Sequence, residues 1–177
     1  KTSHYECEYR IITDSGEVRW INSVAKALWD DDGNIIKLAG ANTDITAKKE
    51  AEEKINKLAY FDTLTGLPNV SWLSEQFEMM RSRITSNIAL IYIDLDNFKL
   101  INDTYGHLTG DKVMIEVANR LRRYCNDGML ISRLRGDEFA VLAPDLSDES
   151  LDYFAEEIIN YLEAIIKIDS NSLSLSA

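Results

Sequence analysis

The sequence predicts an α+β protein in two parts: an antiparallel meander closed by a helix, then a mixed sheet with helices packed on it. Three observations carry that expectation. Residues 1–44 alternate β-branched and aromatic runs with glycine-bearing turns. Residues 59–177 alternate helical and strand periodicities in the order α-β-α-β-β-α-β. The charge is uneven as well: residues 1–58 hold 9 basic and 11 acidic side chains, residues 59–177 hold 10 and 19, within a net charge of −11.

Tyr5 to Thr13 and Val18 to Trp29 read as strands, and Asp14-Ser15-Gly16-Glu17 between them as a turn. Asp30 to Asn34 turns the chain again into Ile35 to Ala41. Three strands are few for an independent core, so the chain is expected to begin partway through a domain. Asp44 is placed to cap a helix from Ile45 to about Tyr60. Lys48/Glu52, Lys49/Glu53, Glu50/Lys54 and Glu53/Lys57 are i,i+4 pairs along it. Ala47, Ala51, Ile55 and Leu58 form a thin apolar stripe, which suits a solvated linker or a dimerising helix. After Asn69, Leu73, Phe77, Met80 and Ile84 recur at helical spacing. Ile88 to Leu95 is a continuous apolar run, as expected of a buried central strand. Val113, Val117, Leu121 and Tyr124 mark a helix opened by Gly110-Asp111. Leu130 to Leu134 and Phe139 to Ala143 are strands joined by the hairpin signal Arg135-Gly136-Asp137-Glu138. A long amphipathic helix from Leu151 to Ile165 follows, capped near Ser147 or Asp148. Leu173, Leu175 and Ala177 begin a further strand.

At 45% hydrophobic and 28% charged residues the chain has the composition of a folded domain, which excludes disorder, collagen and coiled-coil rods. The negative balance argues against a nucleic-acid partner and against contact with an anionic membrane. The longest apolar run, Ile88 to Ile93, is too short to span a bilayer, and no export signal opens the chain. A cytoplasmic location is expected, with Cys7 and Cys125 as reduced thiols.

Acidic residues interrupt the strands at two places. Asp94 and Asp96 end the apolar run at Ile93, and Asp137 and Glu138 occupy the hairpin. If the strands are neighbours, four carboxylates converge on one sheet edge. Hard oxygen ligands in that number suit Mg²⁺ or Mn²⁺, and phosphoryl or nucleotidyl transfer is the matching chemistry. The plainer alternative is ordinary turn and cap charge. Lys99, Asn102, Asp103, Asp111 and Asn119 add polar character nearby, and Asn102 with Asp111 offers the amide and carboxylate that satisfy a guanine edge. Backbone N–H groups from Asp96 to Lys99, where a helix starts, are candidates to hold phosphate oxygens.

These residues carry a resemblance. Asp62-Thr63-Leu64-Thr65-Gly66-Leu67-Pro68-Asn69 resembles the opening signature of GGDEF domains, the diguanylate cyclases. Asp94-Leu95-Asp96-Asn97-Phe98-Lys99, Asn102-Asp103, Gly106-His107 and Gly110-Asp111 match the second block, and Arg135-Gly136-Asp137-Glu138-Phe139 stands at the naming motif. Three ordered blocks over about eighty residues are a specific signal. The resemblance implies a sheet like the palm of polymerases and nucleotide cyclases. It also implies condensation of two GTP into cyclic di-GMP and two pyrophosphates by a homodimer, one GTP per domain. On it, Asp94 and Asp137 bind the metals with the Leu95 carbonyl, and Glu138 activates the 3′-hydroxyl or supports the metal site. Asn102 and Asp111 read guanine; Phe98, Lys99, Gly136 and Arg135 lie by the nucleotide; Tyr105 and His107 shape the loop. Residues 1–44 resemble the C-terminal part of a PAS sensor through Arg19-Trp20, Gly33, Gly40 and Asp44-Ile45-Thr46, with 45–60 as linker and 61–177 as the GGDEF domain. Trp20 and Trp29 either line a ligand pocket or pack the strands, and the PAS ligand is left open.

Three departures from the family pattern bear on function. Arg135 replaces the first glycine of the motif, where a non-glycine residue at positive φ is expected to cost ~1–2 kcal/mol; its guanidinium is expected to meet a phosphate or Asp94. Asn126-Asp127-Gly128-Met129 stands where the family carries an R-x-x-D product-inhibition site, so no tight allosteric binding of cyclic di-GMP is expected there. The chain is also expected to stop inside the family's next strand, short of a helix that brings Lys and Arg to the phosphates. The alternative to a cyclase is a degenerate GTP-binding module that regulates a partner such as a downstream phosphodiesterase domain.

Overall fold

In a computed structural model, residues 3–83, 87–125, 128–168, 171–174 and 176 are described. Contacts divide the chain into Lys1–Lys57 and Leu58–Ala177. In the first unit, β1 (Ser3–Ile12), β2 (Val18–Trp29) and β3 (Ile35–Asp44) form an antiparallel meander in sequence order. Gly16 supplies the positive φ of the first turn, 83°. The meander buries little, as its size implies: Ala27 is its one buried apolar residue, while Ile36 and Leu38 are exposed. Its last residue caps α1 (Thr46–Tyr60), since Thr46 N–H donates to Asp44 Oδ1 at 2.9 Å. Thr46 Oγ1 in turn accepts from Trp20 N–H at 2.9 Å. Of the expected helix pairs, Lys48–Glu52 and Glu53–Lys57 form, but Lys49 reaches across to Glu8 at 2.6 Å. Lys49 and Arg10 both lie over the Trp20 ring, which favours strand packing for this tryptophan over a pocket lining.

The second unit contains α2 (Val70–Arg83), β4 (Ile88–Asp94), α3 (Phe98–Tyr105), α4 (His107–Tyr124), β5 (Leu130–Arg135), β6 (Glu138–Pro144) and α5 (Asp148–Glu163). A short hairpin, β7 (Ile166–Ile168) and β8 (Asn171–Leu173), follows. The sheet order is β4-β6-β5 with both ladders antiparallel. The α+β class is therefore as expected, but the parallel pairing of a mixed sheet is not found among the described residues. Among the described residues β6 pairs on both sides and its Phe139 to Ala143 are at most 1% exposed, while the ladder of β4 is with β6 and its Leu90 and Tyr92 are exposed. On the outer face Leu73 and Met80 of α2 pack on Ala140 and Leu142.

The main core lies on the inner face, where Ile93, Phe139 and Val141 meet Val113, Val117 and Leu121 of α4 and Phe154, Ile158 and Leu162 of α5. α4 begins at His107, earlier than the expected Gly110, because Gly106 (φ 84°) separates it from α3 by one residue. Ser147 caps α5 as expected, accepting from Ser150 N–H at 3.2 Å. The far end of α5 is held by Arg120, buried on α4. Its guanidinium donates to the carbonyls of Leu162 (2.9 Å), Ile165 (3.0 Å), Tyr161 and Ala164. Tyr161 and Leu162 are among the acceptors a helix C-terminus leaves unpaired, at its negative dipole end, and Ala164 and Ile165 directly follow it. Of the expected last strand, Leu173 ends β8 and Ser176 bridges to Asp96, while Leu175 and Ala177 lie outside the described residues, as do Ile84, Asn126 and Asp127. No helix among the described residues is long and apolar enough to cross a membrane. Both cysteines are free thiols, and burial pushes Cys125 up to about 11, far from reactive.

Candidate active site

The hairpin between β5 and β6 sets the site. Arg135 and Glu138 are cross-strand partners, so Gly136 and Asp137 form a two-residue turn, with the positive φ of 53° on Gly136. Arg135 itself does not have positive φ, so the strain expected from an arginine at the first motif position is absent. The demand for glycine falls one residue later, where glycine is present.

A brace fixes the turn from below. Arg133 donates through Nε (3.0 Å) and a terminal nitrogen (2.6 Å) to the Gly136 carbonyl, and through its other terminal nitrogen to Asp62 Oδ1 at 2.9 Å. Asp62 also accepts from Thr65 N–H (2.8 Å) and Thr65 Oγ1 (2.6 Å). Burial pushes the Asp62 carboxyl up, but the bonds from Thr65 and Arg133 outweigh it and hold the group below its usual range. The opening signature thus acts as a clamp on the hairpin. Asn69 completes the clamp by donating to the carbonyls of Ala59 and Tyr60.

β4 runs beside β6 so that Asp94 lies directly opposite Glu138, with Asp137 next to Glu138. Like charges facing each other across a ladder repel. The exposed Arg135 relieves part of this, pairing with Glu138 through Nε at 2.8 Å rather than with Asp94. Arg135, and after it the Tyr92 hydroxyl, hold the Glu138 carboxyl below the usual range. The carboxylates of Asp94 and Asp137 accept no hydrogen bond among the described residues. Asp96 lies past the ladder, its N–H donating to Ser176 O at 2.8 Å, so that amide is withdrawn from the expected phosphate-binding set.

No group of three or more acidic, histidine or cysteine ligands closes into a metal cage among the described residues. The donor types still suit Mg²⁺ or Mn²⁺: Asp94, Asp137 and the Leu95 carbonyl offer hard oxygens, of which such ions would need only a few beside water and phosphate oxygen, and a cation there would offset the Asp94–Glu138 repulsion.

The second group of site residues lies where α3 meets α4. Asn97 enters α3 in the left-handed conformation (φ 57°) without a side-chain cap, so the first-turn N–H groups of Phe98 and Lys99 have no acceptor within the helix. Phe98 and Asn102, one turn apart, pack over Gly110 of α4, adjacent to the exposed Asp111. Lys99 is exposed; Tyr105 and His107 flank the Gly106 elbow, also exposed. Tyr92, Gly110 and Arg133 were not singled out by their chemistry in the sequence. The available signals were a tyrosine and an arginine inside apolar strands, and a glycine inside a helical pattern.

Residues 59–177 match the family profile described as diguanylate cyclase, GGDEF domain, and residues 1–42 match the PAS fold. The chain is 32% identical over 164 residues to the diguanylate cyclase VdcA of Vibrio cholerae, covering 92% of this chain and 45% of that protein. It is 35% identical over 136 residues to the cyclic di-GMP phosphodiesterase PdeR of Escherichia coli, covering 76% of this chain and 21% of that one. The chain therefore spans less than half the length of these relatives. The coiled coil and GGDEF domain of DgcB from Caulobacter crescentus, solved with c-di-GMP, superposes with a TM-score of 0.67 at 26% identity, covering 75% of this chain and 73% of that one.

Proposed function

Because this chain belongs to the GGDEF family of diguanylate cyclases, we propose that it binds GTP at the β4–β6 edge and, as a homodimer, condenses two GTP into cyclic di-GMP and two pyrophosphates. In each of the two bond-forming steps the 3′-oxygen of one GTP attacks the α-phosphorus of the other, the bond to the bridging oxygen breaks, pyrophosphate leaves and the 3′-proton is lost. Two active sites facing each other supply both steps.

The observation that carries this reading is the opposition of Asp94 and Glu138 beside Asp137, on a hairpin held by Arg133 and Asp62. Asp94, Asp137 and the Leu95 carbonyl are the proposed holders of Mg²⁺ or Mn²⁺, which when bound neutralises triphosphate charge and polarises the phosphoryl oxygens. Asp111 accepts from the guanine N–H donors, and the Asn102 amide donates to the ring acceptors. Lys99 and the free N–H groups at the start of α3 offset phosphate charge. Residues 1–44 are the proposed end of a PAS sensor, α1 its link to the cyclase, and the cytoplasm the proposed compartment.

The Arg135–Glu138 ion pair favours a second reading. A guanidinium on the hairpin carboxylate takes the place of a cation, which suits a GTP-binding regulator of a partner such as a phosphodiesterase domain. One experiment separates the two: the intact protein is given GTP with Mg²⁺, beside Asp137→Ala and Arg135→Gly. Cyclic di-GMP above the Asp137→Ala background supports the cyclase. GTP binding without product, with synthesis appearing only in Arg135→Gly, supports the regulator and overturns the cyclase reading.

A further inference from the structure

Gly110 lies in the first turn of α4, where glycine is less favourable than alanine, so its place needs a reason. Its φ is not positive; what it provides is space. A Cβ built on Gly110 would overlap Asn102 Oδ1, approach Asn102 Cγ to 3.0 Å and meet Phe98 Cζ at 3.3 Å. The approach is set by the elbow at Gly106, whose N–H donates to Asn102 O at 2.9 Å and whose carbonyl accepts from Gly110 N–H at 3.2 Å. Phe98 and Asn102 face α4 together because they are four residues apart on α3. The Asn102 amide therefore rests on a bare Cα, one residue before Asp111.

We infer that Gly110 is a positioning residue for base recognition: its missing side chain is the seat that holds the Asn102 amide beside Asp111. This rests on the reading of Asn102 as a guanine contact. A Cβ at Gly110 displaces the flexible end of Asn102 before it displaces any backbone, so the expected loss is selective. Guanine recognition falls while attachment through the triphosphate and metal persists. A residue that merely allowed two helices to approach would instead lower stability and weaken every nucleotide alike.

The test compares GTP, ITP and ATP binding to the intact protein, Gly110→Ala, Asn102→Ala and the double variant, with melting temperatures alongside. Expected for Gly110→Ala is a melting temperature near that of the parent and a loss of about tenfold or more in GTP affinity, the scale of a charge-assisted or paired hydrogen bond. ATP affinity should be unchanged, so the preference for GTP over ATP falls by the same factor, and ITP, which shares the acceptors that the Asn102 amide meets, should weaken together with GTP. The double variant should bind like Asn102→Ala alone, because the amide that Gly110 serves is already gone. If Asn102→Ala keeps the parental preference for GTP, the reading of Asn102 falls. If Asn102→Ala loses that preference and Gly110→Ala keeps it, the assignment of Gly110 falls while the reading of Asn102 stands. Should Gly110→Ala not fold, the double variant decides. Folding and binding like Asn102→Ala upholds the assignment; failure to fold overturns it in favour of a helix-contact role.

Discussion

Two acidic turns flank Arg133, and the fold treats them in opposite ways. Asp62 is half-buried and takes three hydrogen bonds, from Thr65 N–H, Thr65 Oγ1 and Arg133. Across the same guanidinium, Asp137 sits on the hairpin whose carbonyl Arg133 grips, yet its carboxylate and that of Asp94 have no donor among the described residues. One carboxylate is fully used in holding structure. The others are held in place by that structure with their lone pairs free, beside the like-charged Glu138. The first carboxylate belongs to the scaffold, and the others are the ones left available to the cation and phosphate of the proposed reaction.

The contrast breaks most visibly by mutation on the open side. Asp137→Ala should lower cyclic di-GMP synthesis by at least ~10²-fold, the scale set by losing a group that stabilises transition-state charge, while leaving the melting temperature within a few degrees. On the satisfied side the signs exchange. Asp62→Ala should cost ~2–3 kcal/mol in urea unfolding, since it strips charged hydrogen bonds from a partly buried network. A smaller effect follows from pH. The folded pKa of Asp62 lies below its ordinary 3.8, so its contribution is present above that value and fades as pH falls through the lower folded one. The urea midpoint of the parent should therefore fall in that acid window more steeply than that of Asp62→Asn. The smallest expected change concerns Ser132, fully buried on β5 with no partner for its hydroxyl among the described residues. Ser132→Ala should be neutral or stabilising by about 1 kcal/mol, measured in the same unfolding series.

Much of this was legible in the sequence because it is local. Carboxylates at the end of an apolar run and inside a two-residue turn announce themselves, and so do Asp44 and Ser147 as caps. What escaped was pairing at a distance. Arg133 meets Asp62 across 71 residues, and Arg120 reaches α5 carbonyls 41 to 45 residues on. Neither spacing leaves a periodic trace. Arg135 misled through position, because the positive φ belongs to Gly136. Gly110 was visible as a helix opener and as part of the second motif block, but its use depends on how α3 folds back over it.

The most direct measurement is Mn²⁺ binding in the presence of GTP, read by the loss of free-ion paramagnetic signal, for the parent, Asp94→Ala, Asp137→Ala and Asp62→Asn at a temperature where all four are folded. The account predicts GTP-dependent Mn²⁺ binding that is lost in Asp94→Ala and Asp137→Ala and kept in Asp62→Asn. Equal binding by Asp137→Ala and the parent would contradict it, because the open carboxylates would then not be the metal site.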